Sequence, residues 1–184
     1  MKAIGLISCT KKKLQVAQAT PARELYSASR NFRLALAHCQ RVYDQTFVLS
    51  ALHGLVELDQ IIEPYDLTLA KMTAREREKW SHTVHERLGE LELRCEKFFF
   101  HAGEKYREFL INWLPDAHEP LVGLSIGHHP RWYGMRDTSN PERDFLHASG
   151  EVACYICGKP YWKHKADPVH PFMKLLCDGL RVKL

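Results

Sequence analysis

The chain has 184 residues, 45% of them hydrophobic and 26% charged, with a formal net charge of +4. This is the profile of an ordinary soluble globular domain, long enough to bury a sizeable core, and no apolar run approaches the roughly 20 residues that a bilayer span requires. The mild positive charge is compatible with a phosphate-bearing partner without demanding one.

Met1-Lys2-Ala3-Ile4-Gly5 reads straight into a first strand over residues 3–7, with no secretory signal ahead of it. Six cysteines in such a chain point to the reducing cytoplasm, where close cysteine pairs bind metal more often than they form disulfides. Thr20-Pro21 is a helix start, a capping threonine followed by proline at the first helical position, and residues 22–42 keep helical spacing with Leu25, Phe32, Leu36 and Cys39 on the buried face. Residues 45–51 read as a buried strand, and residues 52–70, with Gly54 and Pro64, as a long loop containing short structure. Thr73-Ala74-Arg75-Glu76 is a capping box opening a helix to about Leu93, with Trp80, Val84 and Leu88 inward.

A third strand is expected over residues 97–100, a helix over 104–114 stopped by Pro115, and a fourth strand over 121–124. Cys39 and Cys95 fall at a helix and a helix end, as small buried apolar groups. The alternation βαβαβαβ predicts an α/β fold, a three-layer α/β/α arrangement around a mainly parallel sheet of four or more strands, over residues 1–130. Residues 131–184 change character, rich in proline, histidine and aromatics, with helices near 141–148 and 171–180, and read as a small extension containing Cys and His.

Reactive side chains gather just after the strands. In a parallel sheet the carboxyl ends share one rim, and ligands bind there. Ser8-Cys9-Thr10-Lys11-Lys12-Lys13 supplies small hydroxyls, backbone N–H groups and cations suited to an anion, although the glycines of a nucleotide-binding P-loop are missing and a solvated lysine face would look the same. Cys9 has no base beside it in sequence, so a packed thiol is the simpler reading. Ser50, His53, Gly54, Glu63, Tyr65 and Asp66 put an imidazole, two carboxylates and a phenol into one loop region, enough for acid–base chemistry and for stacking a planar group; turn capping and core packing would explain each residue singly.

His101-Ala102-Gly103-Glu104, with Tyr106 and Arg107 one turn on, can admit an anion at a strand-to-helix turn, with Glu104 and Arg107 spaced to pair, or can simply cap the helix. Ser125-Ile126-Gly127-His128-His129 offers His128 as a catalytic or base-contacting group. Cys154-x2-Cys157-x12-His170-x6-Cys177 lies close to zinc-finger spacing, with His164 a rival ligand and prolines on both sides of His170 that argue against an ordinary finger; two reduced surface thiols are the alternative.

Several of these segments together resemble a known family. Ile7-Ser8-Cys9-Thr10-Lys11-Lys12-Lys13, Ala22-Arg23-Glu24-Leu25-Tyr26, Leu49-Ser50-Ala51-Leu52-His53-Gly54-Leu55, Ile62-Glu63-Pro64-Tyr65-Asp66-Leu67-Thr68-Leu69 and His101-Ala102-Gly103-Glu104-Lys105-Tyr106-Arg107 resemble a mostly uncharacterised domain family of bacteria and phages. That family is distantly similar to the YaaA, archaeosine-synthase and uracil-DNA-glycosylase-like α/β proteins. The chain departs from its pattern at Leu52, where lysine is frequent, and at His128-His129, where Glu-Gln is frequent.

The resemblance implies a base held at the strand ends while an acidic residue or histidine assists cleavage of an N-glycosidic bond. On that expectation Asp66 or Glu63 supplies the carboxylate, His53 polarises the base, Tyr65 stacks on it, and Lys11, Lys12 and Lys13 meet phosphate. Ser8, Cys9, Thr10, Ser50, Gly54, His101, Gly103, Tyr106, Arg107 and His128 complete the substrate-binding set, and zinc is a structural candidate at Cys154, Cys157, His170 and Cys177, with no cofactor needed for the chemistry. The expected activity is a cytoplasmic N-glycosidase acting on nucleic acid, DNA or RNA, or on a nucleotide, without a membrane partner. The alternative is a non-catalytic nucleic-acid or nucleotide-binding protein that uses the same pocket.

Overall fold

The computed structural model describes residues 1–135. The chain divides after Val122 into one unit, Met1–Val122, and a second from Gly123 onward. The first unit is an α/β fold on a five-stranded sheet in the order β4-β3-β1-β6-β7, where β1 is Ala3–Ser8, β3 Gln45–Ser50, β4 Gly54–Glu57, β6 Lys97–His101 and β7 Asp116–His118. β1 is parallel to both β3 and β6, β6 is parallel to β7, and β4 alone runs antiparallel, against β3. A two-stranded ribbon, β2 (Thr20–Pro21) against β5 (Ile61–Ile62), sits outside this sheet.

β1 is central because its sequence tolerates burial on both faces: Ile4, Leu6 and Ile7 are nearly or wholly excluded from solvent, as are Val48 and Leu49 of β3 and Phe98 and Phe100 of β6. From β1 the chain crosses to β3 on one side and later returns to β6 on the other. Right-handed crossovers in opposite directions put the connecting helices on opposite faces of the sheet. The same reversal puts the topological switch point, the place at which such sheets bind ligands, between the ends of β1 and β6.

The first crossover carries two helices rather than the single run expected over 22–42. α1 is one turn, Ala22–Leu25, and α2 is Arg30–Val42. Ser29 causes the restart: its side chain caps α2 by accepting from the Phe32 N–H, so the chain leaves helical geometry between Tyr26 and Ser29. Leu25, Phe32 and Cys39 are buried as expected, joined by Ala35 and His38, whereas Leu36 is half-buried. α2 lies so close to β1 that a Cβ on Gly5 would sit 2.7 Å from Tyr43 Cδ2 and 3.1 Å from Cys39 Cβ.

α3, Ala74–Glu90, begins at the anticipated capping box, with Thr73 accepting from the Glu76 N–H and the Glu76 carboxylate accepting from the Thr73 N–H. Trp80, Val84 and Leu88 face the core, and so does Arg77, whose charge is met by Glu108. Cys95, expected to be buried, is exposed in the turns after α3, while Cys39 is fully buried and its thiol is pushed up by that burial.

The stretch 52–70 is, as expected, mainly loop with short structure in it: Gly54, at φ 69°, starts the hairpin partner β4, Leu55 and Val56 are buried on the sheet edge, and Ile61–Ile62 forms β5. Two further expectations are corrected. The helix expected over 104–114 is one α-turn, α4 (Glu104–Arg107), followed by a 3-10 turn at Leu110–Trp113. The strand expected over 121–124 does not form; the strand after Pro115 is β7 at Asp116–His118, and residues 121–123 are a turn with Gly123 at φ 77°. A run of four apolar and glycine residues cannot by itself distinguish a strand from a turn, and of this run only Leu121 is buried. In the second unit a 3-10 turn at Ile126–His128 leads into α5, His129–Met135. The remainder of the expected extension, with the helices near 141–148 and 171–180, lies outside the described residues. Among the described residues no helix is long and apolar enough to cross a membrane.

The close approach of α2 to β1 is testable. Gly5→Ala should destabilise the fold by about 1–3 kcal/mol, the usual cost of forcing a methyl into a packed core. Urea denaturation would measure it, and an unchanged midpoint would mean that Tyr43 yields freely.

Candidate active site

The switch point is occupied by side chains from three strand ends. Cys9 follows β1, Ser50 ends β3, and Tyr106 lies in α4 just after β6. Cys9 is buried, its N–H donates to the Leu49 carbonyl at 2.9 Å, and its Sγ is 3.1 Å from Tyr106 Oη. Tyr65, from the segment after β5, and Tyr26, from the end of α1, complete the group: Tyr26 Oη is 2.9 Å from Tyr65 Oη, and Ser50 Oγ is 2.8 Å from Tyr65 Oη.

The direction of these hydrogen bonds follows from counting donors. Ser50 Oγ accepts from Tyr26 Oη at 3.3 Å and from the His53 N–H at 3.1 Å, which fills both of its lone pairs. Its own hydrogen therefore goes to Tyr65, and the Tyr65 hydrogen to Tyr26, closing a ring of three hydroxyls. The Ser50 carbonyl is also engaged, accepting from Trp80 Nε1 at 2.8 Å, so one residue with no solvent exposure ties β3 to α1, α3, the β3–β4 turn and the Tyr65 segment. Trp80 in turn meets the Tyr106 ring edge-on at 5.7 Å between centroids.

The phenols are held protonated. Burial pushes Tyr26 up to about 12, with Cys9 adding to the rise and the Ser50 and Tyr65 hydrogen bonds opposing it. Burial first, then Cys9, raises Tyr65 and Tyr106 as well. At the edge of this neutral cluster stands His53, exposed, its ring perpendicular to Tyr65 at 5.4 Å. Partial burial lowers its pKa below the ordinary imidazole value and the carboxylate of Glu63 works against that, so the neutral imidazole predominates at pH 7. Opposite, the Lys13 Nζ lies 4.2 Å from the centroid of the Tyr65 ring.

The structure thus gathers Cys9, Ser50, His53, Tyr65 and Tyr106 from the residues expected at the site. Glu63 is exposed and reaches the group through His53. Asp66, one residue past Tyr65, is exposed and has no side-chain hydrogen bond or ion pair among the described residues. Tyr65 places its hydroxyl in the ring and one face of its aromatic ring under Lys13. Ser8 and Thr10 are half-buried, the Thr10 hydroxyl donating to the Lys12 carbonyl at 2.7 Å, and Lys11 is exposed. Gly54 serves the hairpin through its positive φ.

The cluster after β6 departs from expectation. His101 is buried and its Nε2 lies 2.9 Å from Tyr43 Oη, with the His38 ring 5.3 Å away, so its partners belong to α2 and the turn that follows it. Arg107 pairs with Glu119 rather than with Glu104. Gly103 is the N-cap of α4, exposed, with no protein atom within 4 Å of a Cβ placed there. His128 belongs to the second unit, exposed, its Nδ1 2.8 Å from Ser125 Oγ. The candidate zinc ligands Cys154, Cys157, His170 and Cys177 lie outside the described residues, and among the described residues no three His, Cys, Asp or Glu side chains are placed to share a metal ion.

Sequence reasoning missed the roles of Tyr26 and Trp80. Tyr26 was legible only as the last residue of the Ala22-Arg23-Glu24-Leu25-Tyr26 segment, and Trp80 only as a core position of α3. A tyrosine directly after a one-turn helix and an indole at an inward helical position are both polar tips on buried bodies, and buried tips of this kind seek a hydrogen-bond partner.

Two outcomes follow. Ser50→Ala removes a buried hydroxyl that makes three hydrogen bonds, and should cost about 1–3 kcal/mol in chemical denaturation. Because folded Tyr26 keeps its proton to about 12 while the unfolded chain releases it near 10, stability is complete below pH 10 and falls as pH rises from 10 toward 12, by on the order of 2–3 kcal/mol from Tyr26. Alkaline denaturation followed by tyrosinate absorbance would contradict this if all the tyrosines titrated near 10 with the fold intact.

Residues 4–135 match one family model, described as a family of unknown function, DUF6884. No curated protein and no solved structure matches the chain. The matched stretch contains every member of the hydroxyl ring together with Cys9, Lys13, His53 and Tyr106, and on the strength of that match over most of its length the chain belongs to the DUF6884 family.

Proposed function

We propose that this protein is an N-glycosidase that releases a nucleobase from a nucleotide or from nucleic acid, with the β1/β6 switch point as its substrate site. The observation that carries this reading is the meeting of Cys9, Ser50, Tyr65 and Tyr106 from three strand ends, with His53 against Tyr65 at the edge and Glu63 acting on it through its charge. Neutral hydroxyls, a thiol and aromatic surface suit a planar polar ligand, and an imidazole with a carboxylate in its vicinity suits its leaving bond.

The reaction splits the bond between the anomeric carbon and the base nitrogen while a water oxygen bonds to that carbon. One water proton ends on the departing base and the other stays on the new sugar hydroxyl. The anomeric carbon gains positive charge as the bond stretches, and a carboxylate beside it stabilises that charge and orients the water. Glu63 takes this part in preference to Asp66, because Glu63 already acts electrostatically on His53. His53, neutral at pH 7, offers one N–H to the leaving base and one lone pair to a proton in transit.

A second reading has its own support. The hydroxyl ring satisfies itself and no carboxylate joins it among the described residues, as suits a pocket that binds without reacting. Mass spectrometry of small products separates the two. Incubation with mixed nucleotides, DNA and RNA should release a free base with the wild-type protein. Glu63→Gln should lower the release at least about 100-fold, the usual worth of a positioned acid–base group, and Asp66→Asn should have little effect. Binding of one of these substrates without any release would establish the second reading.

The His53–Glu63 coupling has a separate test. Removing the negative charge in Glu63→Gln takes away the influence that raises the His53 pKa, so the imidazole should titrate at lower pH than in the wild type. A proton NMR titration of His53 reads this directly, and an unchanged or higher value would remove Glu63 from the pair.

A further inference from the structure

In the first unit the lysines and arginines that are not fully exposed are, with one exception, paired with carboxylates. Arg77 is met by Glu108, Arg107 by Glu119, Arg23 by Asp59, and Arg87 by Glu57 and Glu90. Lys13 is the contrast. It is half-buried, yet no carboxylate among the described residues lies within ion-pair distance of it, and its ammonium rests instead on the faces of Tyr65 and Tyr26, at 4.2 and 6.0 Å from the ring centroids.

The chain around Lys13 is pinned on both sides. The Thr10 hydroxyl holds the Lys12 carbonyl at 2.7 Å, and the Leu14 N–H donates to the Leu25 carbonyl at 2.8 Å, beside Tyr26. The Lys13 stem therefore leaves the backbone from a fixed point, and the aromatic faces set where its charge sits. An ammonium has three donors, and a ring face engages it from one side only. Lys11 and Lys12, both exposed in the same turn, add to the positive potential there. A cleft of about 310 Å³ that His53 lines is different in character: it also holds Glu86, Glu90 and Arg87, the last already paired with Glu90.

We propose that Lys13 is the ligand of a phosphate group, and that the substrate is a phosphorylated nucleotide unit rather than a free nucleoside. This rests on the reading of the rim as a nucleotide site and adds to it the substrate's orientation: phosphate toward the turn at residues 10–13, base and glycosidic bond toward His53 and the hydroxyl ring. Tyr65 then acts as the platform that positions the cation, and a bound phosphate draws the ammonium to itself while its stem stays on the rings.

Calorimetric titration with ribose 5-phosphate, ribose and a trinucleotide tests this on the wild-type protein and on Lys13→Met, Lys13→Arg and Lys97→Met, the last an exposed lysine at the start of β6, away from the rim. In Lys13→Met the stem stays over the rings and the charge is removed. Ribose 5-phosphate should bind and ribose should not, with affinity about tenfold or more weaker in Lys13→Met, largely restored in Lys13→Arg and little changed in Lys97→Met. The same Lys13 dependence confined to the trinucleotide would keep the phosphate site and assign it to a polymer. Wild-type protein that binds neither, or binds equally well as Lys13→Met, would overturn the proposal. Base release measured on a nucleoside and its 5′-phosphate keeps the two readings apart: equal release from both would reject the phosphate site and leave the glycosidase, whereas Lys13-dependent binding without release would do the reverse.

Discussion

The hydroxyl of Ser50 is the point through which the rim is assembled. It sits at the end of β3, wholly buried, and its two lone pairs and one hydrogen are committed to Tyr26, the His53 N–H and Tyr65. A buried hydroxyl without partners costs more than its hydrogen bonds return, so once β3 is in register with β1 the other three segments are driven to meet it. Trp80, bound to the carbonyl of the same residue, brings α3 into the same arrangement. Serine is suited to this part because its oxygen accepts twice and donates once within the reach of a single short side chain.

That constraint has chemical consequences. A closed ring of neutral hydroxyls, with phenols that burial keeps protonated, gives a rim without net charge at its centre. The charges stand around it: Lys13 on the aromatic faces of Tyr65 and Tyr26, Glu63 acting through His53, and Glu86 and Glu90 lining the cleft next to His53. A ligand with an anionic end and a neutral planar end matches such a pattern in one orientation, and a nucleotide has that form. The pattern belongs to side chains that are distant in sequence and adjacent only because β1 lies between β3 and β6.

Much of the fold was legible because hydrophobic runs and caps are local signals. The strands at β1, β3 and β6 stand out as apolar runs, and α3 announces itself through Thr73 and Glu76, which need nothing from the rest of the chain. What was not legible depended on partners. The four residues of β4, short structure within an expected loop, are a strand because they pair with β3, and the break between α1 and α2 comes from Ser29 capping the second helix. The apolar residues 121–124 lost their strand because the position beside β6 is taken by Asp116–His118, a short and less apolar segment. At the site, sequence motifs identified most of the residues that meet but misread how they meet. Tyr65 carries a cation on its ring and a hydrogen-bonded hydroxyl, neither of which its motif announced, and His101, in a motif with Tyr106, is buried with Tyr43 and His38. Side-chain direction at a strand end is set by the pleat and by neighbouring strands, which motif spacing does not encode.

The most direct test of this account is a crystal structure of the protein grown with a nucleoside 5′-monophosphate. The account predicts the phosphate on Lys13 and the base against the hydroxyl ring and His53, at the ends of β1, β3 and β6. A nucleotide bound at another place on the domain, with the Ser50 ring and Lys13 untouched, would contradict it.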